Sequence, residues 1–207
     1  MQTLRDVHLD CAKRVLCYVR GTMDCGILYK TVMPIRLKGY TDADWAGYKA
    51  DRRSTSGFVF SLGSGSISWN SKKQSTVALS STKAEYRGTA VTACDTVWLK
   101  RILKDLGVPI KDPTPLYCYC DNMSSIYLAR NPVFHAWTKH IEVHYHFIRE
   151  CVLAGDVDLQ HISTNLQTAD IFTKALGADK LWQFMTDLIL TIPDLPSLRR
   201  STEETTQ

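Results

Sequence analysis

The sequence predicts an α/β fold in which a mixed sheet carries helices on its faces. Three strand-like segments come early and are joined by short loops, which is typical of an antiparallel portion. Two later strand-like segments are separated by helical ones, which is typical of a parallel portion. The chain has 207 residues and 44% hydrophobic content, enough for one domain with a substantial core.

The first part of the chain carries one helical pattern and four strand-like patterns. Residues 4–18 place apolar side chains on one helical face, and Gly21 ends this predicted helix. The strand predictions that follow are residues 27–29, 36–45, 57–62 and 66–71. Residues 63–65 (GSG) separate the last two strands and predict a hairpin connection.

A long amphipathic helix begins near residue 82 and precedes the remaining elements. Ser80, Ser81 or Thr82 can cap its N-terminus, and Gly107 ends it. The later predictions are a strand at 116–120, helices at 122–130 and 138–153, a strand at 157–162, and helical segments at 169–176 and 180–190. Residues 191–207 are polar and contain prolines, so we expect a disordered tail there.

Composition narrows the class of protein without fixing its function. The formal net charge of +4 permits a nucleic-acid partner but does not require one. The seven cysteines are an odd number in a chain without a recognisable signal peptide, which favours reduced thiols and a cytoplasmic or nuclear setting. No apolar run approaches the roughly 20 residues of a membrane span, so no membrane association is expected.

Four acidic residues stand where the predicted strands end or the predicted helices begin. Asp42 lies in the strand at 36–45, Glu85 in the first turn of the long helix, Asp121 directly after a strand, and Asp170 at the start of a late helix. Side chains at such element ends converge at one edge of an α/β sheet. Carboxylates are hard ligands suited to Mg²⁺ or Mn²⁺, and four of them can hold two ions.

At these acids the chain closely resembles the ribonuclease H domain of copia-type LTR retrotransposon polyproteins. The resemblance extends over residues 36–190 with the blocks in family order. The matching blocks are GYTDADWAG (39–47), DRRSTSGFVFSLG (51–63), ISWNSKKQSTVALSSTKAEY (67–86), YCDNMSSI (119–126), NPVFHAWTKHIEVHYHFIRE (131–150) and TADIFTKAL (168–176).

The resemblance implies a ribonuclease H-like fold with a five-stranded mixed sheet flanked by helices. It further implies hydrolysis of the RNA strand of an RNA–DNA hybrid by a mechanism with two Mg²⁺ ions, for which Mn²⁺ can substitute. Asp42, Glu85, Asp121 and Asp170 would then be the catalytic, metal-binding acids. Asp44 competes with Asp42 for the first position, and the alternation of the TDADW segment leaves both on one face.

The resemblance also divides the chain. Residues 1–35 resemble the connection segment at the end of the reverse transcriptase region, residues 36–190 resemble the ribonuclease H domain, and residues 191–207 are the tail. Two departures from the family pattern stand out. Lys83 occupies a position that is acidic in many copia elements, and the loop 163–169 lacks the histidine that many cellular ribonucleases H carry. His161 lies on the preceding strand, so a histidine role is in doubt.

Basic and polar residues near the acids are candidates for contacts to the sugar-phosphate backbone of a hybrid. Trp45, Trp69 and Trp98 fall within apolar patterns and are expected in the core rather than as base-stacking platforms. An alternative to the enzyme is a domesticated, non-catalytic module that binds nucleic acid or protein. The candidate substrate-binding residues are Arg52, Arg53, Ser54, Lys72, Lys73 and Asn122.

Overall fold

A computed structural model describes residues 6–31, 34–47, 50–110, 113–118, 142–188 and 190–191. Its helices are α1 (Asp6–Gly21), α2 (Ser81–Asp105), α3 (Glu142–Leu153) and α4 (Ala178–Asp187). Its strands are β1 (Gly26–Ile27), β2 (Leu37–Asp44), β3 (Thr55–Leu62), β4 (Gly65–Lys73), β5 (Thr114–Cys118), β6 (Val157–His161) and β7 (Leu190–Thr191). Two 3₁₀ segments, Thr164–Leu166 and Thr168–Phe172, lie between β6 and α4, and we call the second the Asp170 turn.

The main sheet has five strands in the order β4-β3-β2-β5-β6. Strands β2, β3 and β4 pair antiparallel, whereas β5 pairs parallel with both β2 and β6. This arrangement confirms the predicted mixed sheet, with its antiparallel portion early and its parallel portion late. It also makes β2 the central strand, which receives side chains from elements on both faces of the sheet.

Helix α2 covers one face of the sheet and forms the main core with α3. The Ser80 side chain caps the helix by accepting a hydrogen bond from the Lys83 amide, and Gly107, with φ of 71°, follows its end. Small residues let the helix approach closely, and the Thr92 hydroxyl donates to the Thr41 hydroxyl at 2.8 Å. The buried core includes Phe58, Phe60, Tyr86, Leu99, Ile148 and Leu159.

The opposite face of the sheet is covered by the Asp170 turn and α4. Gly57 of β3 makes this packing possible, because a Cβ there would lie 2.7 Å from the Phe172 Cβ. The Ser71 hydroxyl of β4 donates to the carbonyl oxygen of Phe172 at 2.6 Å. A second, two-stranded sheet joins β1 to β7 and brings the segment after α1 next to the end of the described chain.

Several details differ from the sequence predictions. The helix predicted at 169–176 is the 3₁₀ Asp170 turn, because tertiary hydrogen bonds rather than helical periodicity shape this segment. Trp45, Trp69 and Trp98 are 49%, 53% and 56% exposed, so the expectation that they are core residues is wrong. Each is about half exposed, and an apolar pattern in the sequence does not distinguish half-burial from full burial.

Two further predictions lie outside the described residues: the helix at 122–130 and, from residue 192 onward, the disordered tail. Across the part of the chain that is described, every helix is too short or too polar to cross a membrane.

Candidate active site

Asp42 and Asp170 are brought together from two elements far apart in the sequence. Asp42 lies near the end of the central strand β2, and Asp170 lies in the turn that packs over the same strand. Both side chains are only 2% exposed. Two buried carboxylates that face one another are unfavourable without a cation, because each is desolvated and each repels the other.

The cation between them is the ammonium group of Lys174. Its Nζ lies 3.3 Å from Asp42 Oδ1, 3.2 Å from Asp42 Oδ2 and 2.9 Å from Asp170 Oδ1. Lys180 contributes a second ammonium, 3.1 Å from Asp170 Oδ2. The Thr173 hydroxyl donates a hydrogen bond to Asp42 Oδ2. The pair is therefore surrounded by donors that favour the ionised carboxylates.

These donors do not fully compensate the burial of Asp42. Burial raises the pKa of the Asp42 carboxyl, and the charge of Asp170 adds to this effect, while Lys174 and Thr173 oppose it and the net shift is upward. Burial also acts to lower the pKa of Lys174, but attraction to Asp42 and the hydrogen bond to Asp170 outweigh it and raise the pKa. Burial therefore opposes the charged form of both groups, and the contacts between them oppose the effect of burial.

Glu85 lies on α2 at the end of the sheet where Asp42 lies. Toward its N-terminus, α2 follows β2 closely. Thr92 contacts Thr41, and one turn earlier a Cβ at Gly88 would lie 3.5 Å from the carbonyl oxygen of Asp42. One further turn reaches Ala84, which clusters with Ala43. Glu85 is next to Ala84 and half-buried, so α2 carries this acid to the rim beyond Asp42.

Asp44, the rival for the first acid position, is placed differently from Asp42. Its carboxylate lies against Gly47, where an added Cβ would fall 1.6 Å from Asp44 Oδ2. Gly47 thus leaves room for the Asp44 side chain at the end of β2. The contacts to Lys174 and Thr173 are made by Asp42, two residues earlier and deeper in the sheet.

Two predicted site residues, Asp121 and Asn122, lie outside the described residues. Strand β5, which ends at Cys118, runs parallel to β2 and lies next to it, with Cys118 opposite Thr41. Within the described ranges, no group of three or more His, Cys, Asp or Glu side chains is close enough together to hold a metal ion. The described centre is therefore a carboxylate pair, with Glu85 on the adjoining helix.

The predicted basic residues lie at the same end of the sheet. Asp42, Gly57 and Ser71 are directly opposite one another across three strands, and Asp44, Thr55 and Lys73 form the next row on that face. The register therefore places Lys73 two strands from β2, about 10 Å across the sheet.

We call Arg52, Arg53, Lys72 and Lys73 the basic rim, and Asp51 binds two of these side chains. It accepts from Arg53 Nε at 2.7 Å and from Lys73 Nζ at 2.9 Å. Desolvation acts to raise the pKa of Asp51, but hydrogen bonds from Lys73 and Arg53 lower it to about 2. Arg52 is exposed, with φ of 54°, and Lys72 is exposed as well. The rim thus presents cations beside the carboxylate pair.

Ser54 does not fit the predicted role in substrate binding. The residue is 0% exposed, and its Oγ accepts a hydrogen bond from the amide of Ala46 at 3.2 Å. Its carbonyl oxygen accepts from the amide of Gln74 at 2.8 Å. Ser54 therefore holds the loop after β2 in place, and it offers no surface to a phosphate.

Sequence reasoning missed the residues that position the two acids: Thr173, Lys174 and Gln167. The Asp170–Lys174 spacing of i, i+4 was visible, but on a helix this spacing usually means a surface ion pair. Gln167 is fully buried and has no sequence pattern of its own. Only the fold reveals that its side chain spans the turn and β2.

The chain has sequence relatives among transposon polyproteins. It is 44% identical over 184 residues to the retrovirus-related Pol polyprotein from transposon RE1 of Arabidopsis thaliana, an alignment covering 89% of this chain and 12% of that protein. It is also 44% identical over 173 residues to the retrovirus-related Pol polyprotein from transposon TNT 1-94 of Nicotiana tabacum, covering 84% of this chain and 13% of that protein. The chain thus spans about an eighth of the length of these relatives.

Among solved structures, the N-terminal ribonuclease H domain of rv2228c from Mycobacterium tuberculosis, fused to maltose-binding protein, is similar at a TM-score of 0.48 and 13% identity. That alignment covers 74% of this chain and 98% of the other. No family model matches the chain. The structural likeness is weak. By sequence, the chain is similar to one segment of retrovirus-related Pol polyproteins from transposons, and its own structure is a five-stranded mixed sheet with helices packed on it.

Proposed function

We propose that the chain is a metal-dependent endonuclease that hydrolyses the RNA strand of RNA–DNA hybrids. The observation that carries this proposal is that the carboxylates of Asp42 and Asp170 both contact the ammonium group of Lys174. A buried carboxylate pair is costly to maintain, and a protein that only binds nucleic acid through a basic rim has no use for it. The matching blocks around both acids support the same interpretation.

The donor set fits Mg²⁺ or Mn²⁺. Lys174 shows that the pair holds a cation in contact with three carboxylate oxygens, and hard divalent ions prefer such ligands. We assign Asp42 and Asp170 as ligands, with Glu85 and Asp121 completing the set. Bound ions would lower the pKa of a water nucleophile and stabilise charge on the leaving oxygen.

The protein residues contribute position and charge. The turn and β2 fix the two carboxylates in a rigid, water-poor setting, so their geometry needs no adjustment when substrate arrives. Arg52, Arg53, Lys72 and Lys73 would bind phosphates of the hybrid beside the acids, with Asn122 as a further contact. Contacts to the backbone and 2′-hydroxyls would recognise the shape of the hybrid rather than its sequence.

The test is an incubation of the wild-type chain and the Asp170→Asn variant with three end-labelled substrates: hybrid, double-stranded RNA and double-stranded DNA. Each is assayed with Mg²⁺, with Mn²⁺ and with a chelator. We expect cleavage of the RNA strand of the hybrid alone, giving 3′-hydroxyl and 5′-phosphate ends, with metal only and with the wild type only. Tight binding of the hybrid without cleavage under any metal condition would instead favour the non-catalytic binding module.

A further inference from the structure

Lys174 is held at the carboxylate pair by its own backbone as well as by its charge. Its amide donates to the carbonyl oxygen of Asp170 at 3.0 Å, which places its side chain one turn beyond that acid. From there the ammonium reaches both carboxylates at once. The side chain is 32% exposed, whereas the two acids are 2% exposed. Part of the Lys174 side chain therefore reaches solvent, whereas the carboxylates do not.

The contacts of Lys174 are those that a metal ion would use. Each carboxylate offers a limited number of oxygen lone pairs, and Lys174 is within 3.3 Å of three of the four oxygens. The fourth, Asp170 Oδ2, contacts Lys180, whose Nζ also lies 5.1 Å from the centre of the Phe184 ring. A hard cation and the Lys174 ammonium cannot share the space between the two acids.

We propose that Lys174 is an internal counter-ion of the Asp42–Asp170 pair, and that a divalent cation binds there by displacing it. The proposal rests on the proposed function, since it concerns the same acids. In the metal-free protein, Lys174 offsets the repulsion between two buried carboxylates and keeps the turn on β2. When the cation binds, the ammonium leaves toward the rim. Lys174 thus stabilises the metal-free fold and at the same time weakens the binding of the metal ion.

Displacement can be read directly from the reactivity of lysine amines. The full chain is labelled briefly with an amine-acetylating reagent, with Mn²⁺ or with chelator, and the lysines are quantified by peptide mass spectrometry. We expect Mn²⁺ to increase labelling of Lys174. Lys100 is the internal control, because it pairs with Asp156 at 2.7 Å away from the two acids, and its labelling should not change. Unchanged or lower Lys174 labelling on saturation with Mn²⁺ would overturn displacement.

A matched pair of variants tests both effects, on metal affinity and on the stability of the metal-free protein. Lys174→Met and Lys100→Met each remove one paired ammonium and keep the aliphatic stem. We expect Lys174→Met to bind Mn²⁺ about tenfold more tightly than Lys100→Met by calorimetry, a change of about 1.4 kcal/mol. In chelator its melting temperature should fall below that of the wild type. Lys174→Arg, which keeps the charge, should restore that stability and weaken Mn²⁺ binding again.

The outcomes separate this proposal from the nuclease proposal. Equal Mn²⁺ affinity in Lys174→Met and Lys100→Met, with Lys174 labelling unaffected by Mn²⁺, would overturn the counter-ion role and leave hybrid cleavage untouched. Absence of Mn²⁺ binding in both the wild type and Lys174→Met, together with absence of hybrid cleavage, would overturn both.

Discussion

The side-chain amide of Gln167 donates a hydrogen bond to the carbonyl oxygen of Thr41 at 3.0 Å. Its Oε1 accepts from the amide of Ala169 at 3.3 Å. Thr41 precedes Asp42, and Ala169 precedes Asp170. One fully buried side chain therefore fixes the main chain beside each acid and sets their separation.

Replacing Gln167 with Leu should weaken both the fold and the metal site. The change leaves a buried acceptor and a buried donor unpaired, which costs about 1–3 kcal/mol for each group. Urea unfolding should reveal that loss, and calorimetry should show weaker Mn²⁺ binding. Gln160→Leu is the control, because Gln160 bonds Asp158 on β6 and should not affect Mn²⁺ binding. Equal Mn²⁺ affinity in the two variants would contradict a positioning role.

Asp42→Asn should abolish hybrid cleavage, whereas Asp44→Asn should reduce it only modestly. Asp42 shares Lys174 with Asp170, while Asp44 lies against Gly47 at the end of the strand. Initial rates on a labelled hybrid, with circular dichroism to verify folding, provide the measurement. Loss of activity in Asp44→Asn alone would mean that the first acid is two residues further along β2.

The same Asp42→Asn variant should respond differently to pH in the absence of metal. Burial raises the folded-state pKa of Asp42 above its ordinary value of 3.8, so the native state binds the proton more tightly than the unfolded state. Proton binding to Asp42 therefore stabilises the native state fully at pH values below the pKa of Asp42 in the unfolded state. This stabilisation is lost as pH rises through the pKa of Asp42 in the folded state. Urea titrations in chelator between about pH 4 and pH 7 should show the wild type losing stability relative to Asp42→Asn. A constant difference across this range would contradict the shift.

Gly57→Ala should lift the Asp170 turn from the sheet. The added Cβ would lie 2.7 Å from Phe172 Cβ and from Thr173 Cγ2, and this overpacking costs about 1–3 kcal/mol. The shift would also move Asp170 away from Asp42, so Mn²⁺ affinity should fall with stability. Gly177→Ala is the control, since a Cβ added there would have no atom within 4 Å. Wild-type Mn²⁺ binding in Gly57→Ala would show that the turn tolerates the displacement.

Arg52→Ala with Arg53→Ala should lower hybrid affinity and flatten its dependence on salt. Each lost phosphate contact should reduce the log–log slope by about 0.7–0.9. The control removes Arg101 and Lys104 instead, which lie about 24 Å or more along α2 from Glu85. Fluorescence anisotropy at several salt concentrations measures the slopes. A wild-type slope in the Arg52/Arg53 variant would place the phosphate contacts elsewhere.

The helices and strands could be predicted from the sequence better than the contacts between them. Strand β2 was predicted within one residue at each end. The Asp170 turn was misassigned as a helix, because its shape depends on Gln167, whose partner Thr41 is remote in the sequence. The four candidate acids came from their positions at the ends of predicted elements and from the resemblance to a family. Lys174 escaped notice because only the folded chain brings it to Asp42 as well as to Asp170.

The pairing of Gly26 with Thr191 also has a consequence for the order of folding. A ladder of two residues per strand gains little energy, yet its ends must be closed across nearly the whole described chain. It should therefore form after the five-stranded sheet and open first. In native-state hydrogen exchange, the Ile27 amide should exchange by a low-energy local opening. The amides of β2 and β3 should exchange only when the whole domain unfolds.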